Sequence, residues 1–100
     1  MPRLPVRIVT GVALKQLFNR SQLWYDIFDG TLTSEPVPRS QRPATNPRYV
    51  GGTSQMLIHR DSTGRHVCTT HRVVAVDGTI LHWDESDIKL PTETLVKAHH

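Results

Sequence analysis

The fold is decided by residues 54–90: SQMLIHRDSTGRHVCTTHRVVAVDGTILHWDESDIKL. Three runs rich in β-branched and aromatic residues are separated there by two turn signals, Asp61–Gly64 and Asp77-Gly78. Such runs between turn residues are typical of antiparallel strands. Asp-Gly favours a type I′ hairpin turn, because it tolerates the two positive φ angles that this turn needs. We therefore predict a β-meander of at least three strands.

The two turns also predict which residues lie opposite one another. The Asp77-Gly78 turn predicts the cross-strand pairs Val76 with Thr79, Val74 with Leu81, Val73 with His82, Arg72 with Trp83, and His71 with Asp84. Asp61–Gly64 is predicted to be a type I turn closed by a glycine bulge. It places Arg60 opposite His66 and Ile58 opposite Cys68.

Side chains alternate along a strand, so this register assigns each residue to one of two faces. The predicted core face holds Met56, Ile58, Cys68, Val74, Val76, Leu81 and Trp83. The predicted opposite face is mixed and holds Leu57, His59, Val67, Thr69, His71, Val73, Ala75, Ile80, His82 and Asp84. A thiol among apolar neighbours keeps a high pKa, so Cys68 is not predicted to be a nucleophile.

The segment before the meander predicts a strand and a helix. Val6–Val9 is short and alternates weakly, which is typical of an edge strand. Thr10 can cap a helix over 11–20, where apolar residues recur every three and four positions. Residues 21–28 fit either a continuation of the helix or a strand, and we favour the helix. The predicted fold is therefore α+β, with an N-terminal helix packed on a C-terminal antiparallel sheet.

Residues 31–53 interrupt this pattern. The segment contains four prolines, a Gly51-Gly52 pair and the arginines Arg39, Arg42 and Arg48, without apolar periodicity. We predict a long loop within a single domain spanning residues 1–100. A loop of this length is either functional or mobile, so it fits a binding arm that presents its arginines or a connector.

Charge is distributed unevenly over the 100 residues, whose net charge is +3. Residues 1–72 contain nine arginines and one lysine against four acidic residues, a net charge of +6. Residues 73–100 contain two lysines against five acidic residues, a net charge of −3. The arginine-rich part favours an acidic partner, either nucleic acid or a protein surface, although arginines also serve solubility alone.

Two features bear on the compartment. No run of about 18 apolar residues and no signal-peptide pattern is present, so we expect a cytoplasmic protein without a membrane partner. The single cysteine excludes an internal disulfide and any Cys-x-x-Cys motif, which fits a reducing compartment.

A small polar cluster is the candidate site. In the predicted register His71 lies across from Asp84, and His82 lies diagonally beside them. Two imidazoles and a carboxylate suit a metal, acid–base chemistry or an ordinary ion pair. The sequence favours the ion pair, because no nucleophile motif is present. No fourth ligand can be named, so neither a metal nor another cofactor is predicted.

Two functional hypotheses follow. The first is a non-enzymatic binding module in which Arg39, Arg42, Arg48 and Arg72 contact the acidic partner. The second is a small, toxin-like, metal-independent ribonuclease. In it His71 acts as the base with Asp84, and His82 or Arg72 steadies the phosphate. A small basic domain with a helix on an antiparallel sheet is similar to folds used by ribonuclease toxins and RNA-binding modules, but only at the level of fold.

Overall fold

The computed structural model describes residues 4–98, which form one seven-stranded sheet and two helices. The strands are β1 (Val6–Val9), β2 (Thr33–Pro36), β3 (Arg42–Pro43), β4 (Thr53–Arg60), β5 (His66–Val74), β6 (Ile80–Lys89) and β7 (Thr94–Lys97). Their order is β1-β7-β6-β5-β4-β2, and β3 also pairs with β4. Among the strand pairs within residues 4–98, only β1–β7 is parallel. The α+β class with a β-meander is confirmed.

Both segments are helical, but they form two helices, α1 (Gly11–Arg20) and α2 (Leu23–Phe28), and not one continuous helix, because Gln22 between them is left-handed with φ 56°. The Thr10 hydroxyl accepts a hydrogen bond from the Ala13 amide at 3.1 Å, which satisfies a free donor in the first turn of α1. The predicted edge strand Val6–Val9 is also present, at one edge of the sheet. Within residues 4–98, neither helix is long and apolar enough to cross a membrane.

The core lies between the two helices and one face of the sheet, which we call the inner face. Leu14 and Phe18 of α1 are fully buried against it. The rest of the buried apolar cluster comprises Leu23, Ile27, Leu32, Cys68, Ile88 and Leu95. Burial raises the pKa of the Cys68 thiol to about 12, as expected for a thiol in the core. We call the opposite side of the sheet the outer face.

The predicted faces of β4 are wrong. The structure pairs Cys68 with His59 and not with Ile58, because Val67 is an extra residue between His66 and Cys68 on β5. A one-residue shift exchanges the faces of a strand. Leu57 and His59 are therefore buried on the inner face, with 1% and 0% exposure, while Met56 and Ile58 are only half-buried.

The β5–β6 turn also differs from the prediction. Only Gly78 has a positive φ there, and the Ala75 amide donates to the Thr79 carbonyl at 2.7 Å, so the loop has three residues and is not type I′. The predicted core residues Val76 and Leu81 are 94% and 40% exposed. Trp83 lies on the inner face, as predicted, with its ring centroid 5.6 Å from that of Trp24.

The segment 31–53 is more ordered than the predicted loop. It contains β2, β3 and two short 3-10 turns, Pro38–Ser40 and Pro47–Tyr49. Both β2 and β3 pair with β4, whose backbone groups would otherwise lack partners at that edge. Proline is tolerated in edge strands, so Pro36 in β2 and Pro43 in β3 are compatible with strand structure.

Candidate functional site

The outer face of the sheet carries a cleft of about 320 Å³. One wall is the segment from Arg42 to Tyr49, which folds back over β4, β5 and β6. The lining residues are Arg42, Pro43, Ala44, Thr45, Asn46, Tyr49, Ser54, His71, Val73, His82 and Asp84. Thus the sheet supplies the histidine cluster, and residues 42–49, which were predicted to be part of a loop, form the wall that makes the site concave.

The Asp84 carboxylate is the centre of the cluster. Its Oδ1 lies 3.0 Å from His71 Nδ1 and 3.2 Å from His82 Nε2, and its Oδ2 accepts a hydrogen bond from Lys97 Nζ. The register that pairs His71 with Asp84 is confirmed. The side chains of His71, His82 and Asp84 are 31%, 40% and 25% exposed, so solvent and small ligands can reach them.

The Asp84 carboxylate determines which nitrogen of a neutral His71 ring carries the proton. Partial burial alone would raise the pKa of Asp84, but hydrogen bonds from His71 and Lys97 outweigh burial and lower it to about 2. The carboxylate is therefore ionised at neutral pH and can only accept hydrogen bonds. Since His71 Nδ1 must then carry the proton, Nε2 of the neutral imidazole is left as the acceptor.

Ser54 is the partner of that acceptor nitrogen, with its Oγ 2.6 Å from His71 Nε2. The Ser54 hydroxyl therefore donates to His71, which in turn donates to Asp84. Ser54 was not predicted to belong to the site, because its proximity to His71 depends on the β4–β5 register. No local motif around Ser54 signals this contact.

Tyr49 and Arg42 line the cleft from the wall that residues 42–49 form. The Tyr49 ring stacks on His82, with centroids 5.6 Å apart and planes 23° from parallel. Asn46 starts the 3-10 turn that holds Tyr49, and its side chain accepts from the Arg48 amide at 2.9 Å. Arg42 lies on β3, opposite Ser54. The site therefore combines a cation, an aromatic face and two imidazoles.

The four arginines predicted to bind an acidic partner do not share one surface. Arg42 lines the cleft, whereas Arg39 and Arg48 lie in the two exposed 3-10 turns and are not part of its lining. Arg72 points to the inner face, where its Nε donates to Gln55 Oε1 at 2.5 Å and its guanidinium lies 5.4 Å from the Trp83 ring centroid. Because successive residues of a strand face opposite ways, Arg72 cannot act beside His71.

Three kinds of chemistry fit this arrangement: proton transfer by two imidazoles, activation of a hydroxyl by His71, and coordination of a metal ion. Comparisons of the chain with protein-family models, curated proteins and solved structures found no match.

Proposed function

We propose that this protein is a small ribonuclease that cleaves RNA by acid–base catalysis in the outer-face cleft, without a metal ion. The observation that supports the proposal is the contact of two imidazoles, His71 and His82, with one carboxylate in an open cleft. Cleavage of RNA through its own 2′-hydroxyl needs one group that takes a proton and another that supplies one. Two histidines on a shared carboxylate can fill these two roles.

His71 is the base in the proposed reaction. Its Nε2 accepts from the Ser54 hydroxyl at 2.6 Å, and a bound ribose 2′-hydroxyl would replace Ser54 as the donor to this nitrogen. After Nε2 takes the proton, the 2′-oxygen attacks phosphorus and the P–O2′ bond forms. The 5′-oxygen leaves as the P–O5′ bond breaks, and protonated His82 supplies its proton. The product is a 2′,3′-cyclic phosphate.

Arg42 and Tyr49 suit the substrate. A guanidinium binds phosphate through a fork of parallel hydrogen bonds and offsets the negative charge that develops at phosphorus. The Tyr49 ring, next to His82, offers a face on which an unpaired base can stack. The net charge of +6 over residues 1–72 favours a polyanion in general.

A non-enzymatic module that only binds nucleic acid or an acidic protein is the simpler hypothesis. The same charges support it, and Arg42 is the arginine best placed for it. The two hypotheses differ in whether bound RNA is cut.

The test is to incubate a single-stranded RNA with the protein in a buffer that contains a chelator. We expect cleavage to 2′,3′-cyclic phosphate ends, and a rate about 10²–10⁴-fold lower for His71→Ala and for His82→Ala. His66→Ala is the matched control, because His66 contacts Thr69 and lies outside the cleft. RNA that is bound but remains intact would favour the binding module. RNA that is neither bound nor cut would reject nucleic acid as the ligand.

A second candidate function follows from the Ser54–His71–Asp84 hydrogen bonds. A serine bonded to a histidine that is held by an aspartate is the arrangement in which a hydroxyl becomes a nucleophile. The cleft would then hydrolyse an ester or amide through a covalent Ser54 intermediate. The contact of 2.6 Å between Ser54 Oγ and His71 Nε2 supports this candidate. The two candidates differ in the effect of replacing Ser54.

A further inference from the structure

We infer that His71, His82 and Asp84 form a binding site for a divalent transition-metal ion of the Zn²⁺ class, with one coordination position open to the cleft. Their candidate ligand atoms all lie within 4.8 Å of one another. The shorter separations, from Asp84 Oδ1 to His71 Nδ1 and His82 Nε2, are 3.0 and 3.2 Å. Ligand atoms about 2.0–2.1 Å from a tetrahedral zinc lie about 3.3 Å apart, so small side-chain movements would form the site.

The surrounding residues already orient two of the three ligands. Metal-binding histidines donate their second ring N–H to a neighbour, and ligating carboxylates are held by further hydrogen bonds. Ser54 Oγ, 2.6 Å from His71 Nε2, can accept from that N–H once Nδ1 binds the ion. Lys97 binds Asp84 Oδ2 and leaves Oδ1 directed at the two imidazoles. The ion would thus replace the contacts of His71 and His82 with Asp84. The contacts of Ser54 with His71 and of Lys97 with Asp84 would remain.

The ligand set favours zinc over magnesium or calcium. Two imidazole nitrogens and one carboxylate oxygen suit a borderline-soft ion with few ligands, whereas Mg²⁺ and Ca²⁺ prefer six or more oxygens. Three protein ligands with an open fourth position are also the usual set of catalytic zinc sites. A fourth protein ligand, whose absence argued against a metal in the sequence analysis, is therefore unnecessary.

Zinc would occupy the nitrogen atoms of both histidines that face Asp84. With Nδ1 bound to the ion, His71 Nε2 would carry the ring proton and could not accept one from a ribose hydroxyl, so zinc would inhibit cleavage if the proposed ribonuclease function is correct. The metal site itself does not depend on that function.

The test is a competition titration of the full chain against a chromophoric zinc indicator, in buffer without chelator or RNA. We expect one Zn²⁺ per chain with a Kd of about 10 μM or below. His71→Ala and His82→Ala should each weaken binding by more than about 100-fold. Ser54→Ala, which removes only an outer contact, should weaken it by about 10–100-fold. Mg²⁺ at the same concentration should not bind.

The matched control is His99→Ser combined with His100→Ser, which removes as many histidines as the two single variants together. We expect this control to keep the wild-type affinity, and circular dichroism should show that all variants are folded. Zinc binding lost in the control but kept in His82→Ala would overturn the proposal, as would no binding by the wild type. Because no RNA is present, failure here leaves the ribonuclease proposal intact, and intact RNA in the cleavage assay leaves this site intact.

Discussion

His59 and Thr70 are hydrogen-bonded inside the protein, with His59 Nε2 2.7 Å from Thr70 Oγ1 and both residues 0% exposed. Trp83 Nε1–H donates to the same Thr70 oxygen at 2.8 Å. The other ring nitrogen, Nδ1, lies 3.0 Å from Ser34 Oγ. Both ring nitrogens of His59 therefore have a hydrogen-bond partner inside the protein.

This burial makes stability depend on pH. Burial lowers the pKa of His59 from 6.5 to about 4, and it outweighs a hydrogen bond with the Thr33 backbone that raises the pKa. Between these two pH values, His59 binds a proton in the unfolded chain but not in the folded protein. Stability is therefore fully present above pH 6.5 and falls as pH drops toward 4, by about 3 kcal/mol for this residue.

The measurement is the free energy of unfolding in urea at several pH values between 7.5 and 4.5, followed by tryptophan fluorescence. In His59→Gln, the glutamine amide replaces the imidazole as hydrogen-bond donor and acceptor but does not titrate in this range. The stability of this variant should therefore change less with pH than that of the wild type. The pKa of His66 is also lowered by burial, and the difference between the two proteins removes its contribution. Parallel pH curves for both proteins would show that His59 is not the cause.

Trp83 and Leu81 test the register of β6. Trp83 packs against Trp24 and Phe28, with centroid distances of 5.6 and 5.4 Å, whereas Leu81 is 40% exposed. Trp83→Ala should lower the free energy of unfolding by about 3–5 kcal/mol, and Leu81→Ala by less than about 1 kcal/mol. Chemical denaturation measures both. Equal losses would mean that Leu81 belongs to the core, as the alternation in the sequence predicted.

Arg42 and Arg39 form a matched pair for RNA binding, because Arg42 lines the cleft and Arg39 does not. In a His71→Ala background that cannot cut, Arg42→Ala should weaken binding to single-stranded RNA. It should also reduce the slope of log affinity against log salt by about 0.7, the value for one phosphate contact. Arg39→Ala should leave the slope unchanged. Fluorescence anisotropy at several KCl concentrations provides the measurement, and equal slopes for both variants would place the RNA outside the cleft.

Ser54→Ala separates the two candidate enzymatic functions. If Ser54 only orients His71, RNA cleavage should slow by less than about tenfold, while His71→Ala slows it by about 10²–10⁴-fold. If Ser54 is a nucleophile, a fluorophosphonate should add covalently to the wild type, and mass spectrometry should find no adduct on Ser54→Ala. We expect the first result. A Ser54 adduct on the wild type together with uncut RNA would put the serine hydrolase first.

The contact between His71 and Asp84 was predicted correctly, although the turn that leads to it was not. The loop at Gly78 has three residues, which moves the register by one and pairs Val74 with Ile80. Leu81 is then an extra residue on β6, and it restores the predicted pairing from Val73–His82 to His71–Asp84. In the β4–β5 hairpin the extra residue Val67 is not compensated, so the face of His59 was predicted wrongly.

The sequence by itself determined the elements whose signals are local. Thr10 starts α1, the glycines at 64 and 78 mark the turns, and alternation identifies the strands, because caps and turns depend on residues a few positions apart. Only the tertiary structure decided the bulges, the contact of Ser54 with His71, and the folding of residues 42–49 over the outer face. The last two features depend on contacts between segments that are distant in the sequence. A one-residue bulge depends on packing on both faces of the sheet, so the local sequence pattern does not predict it.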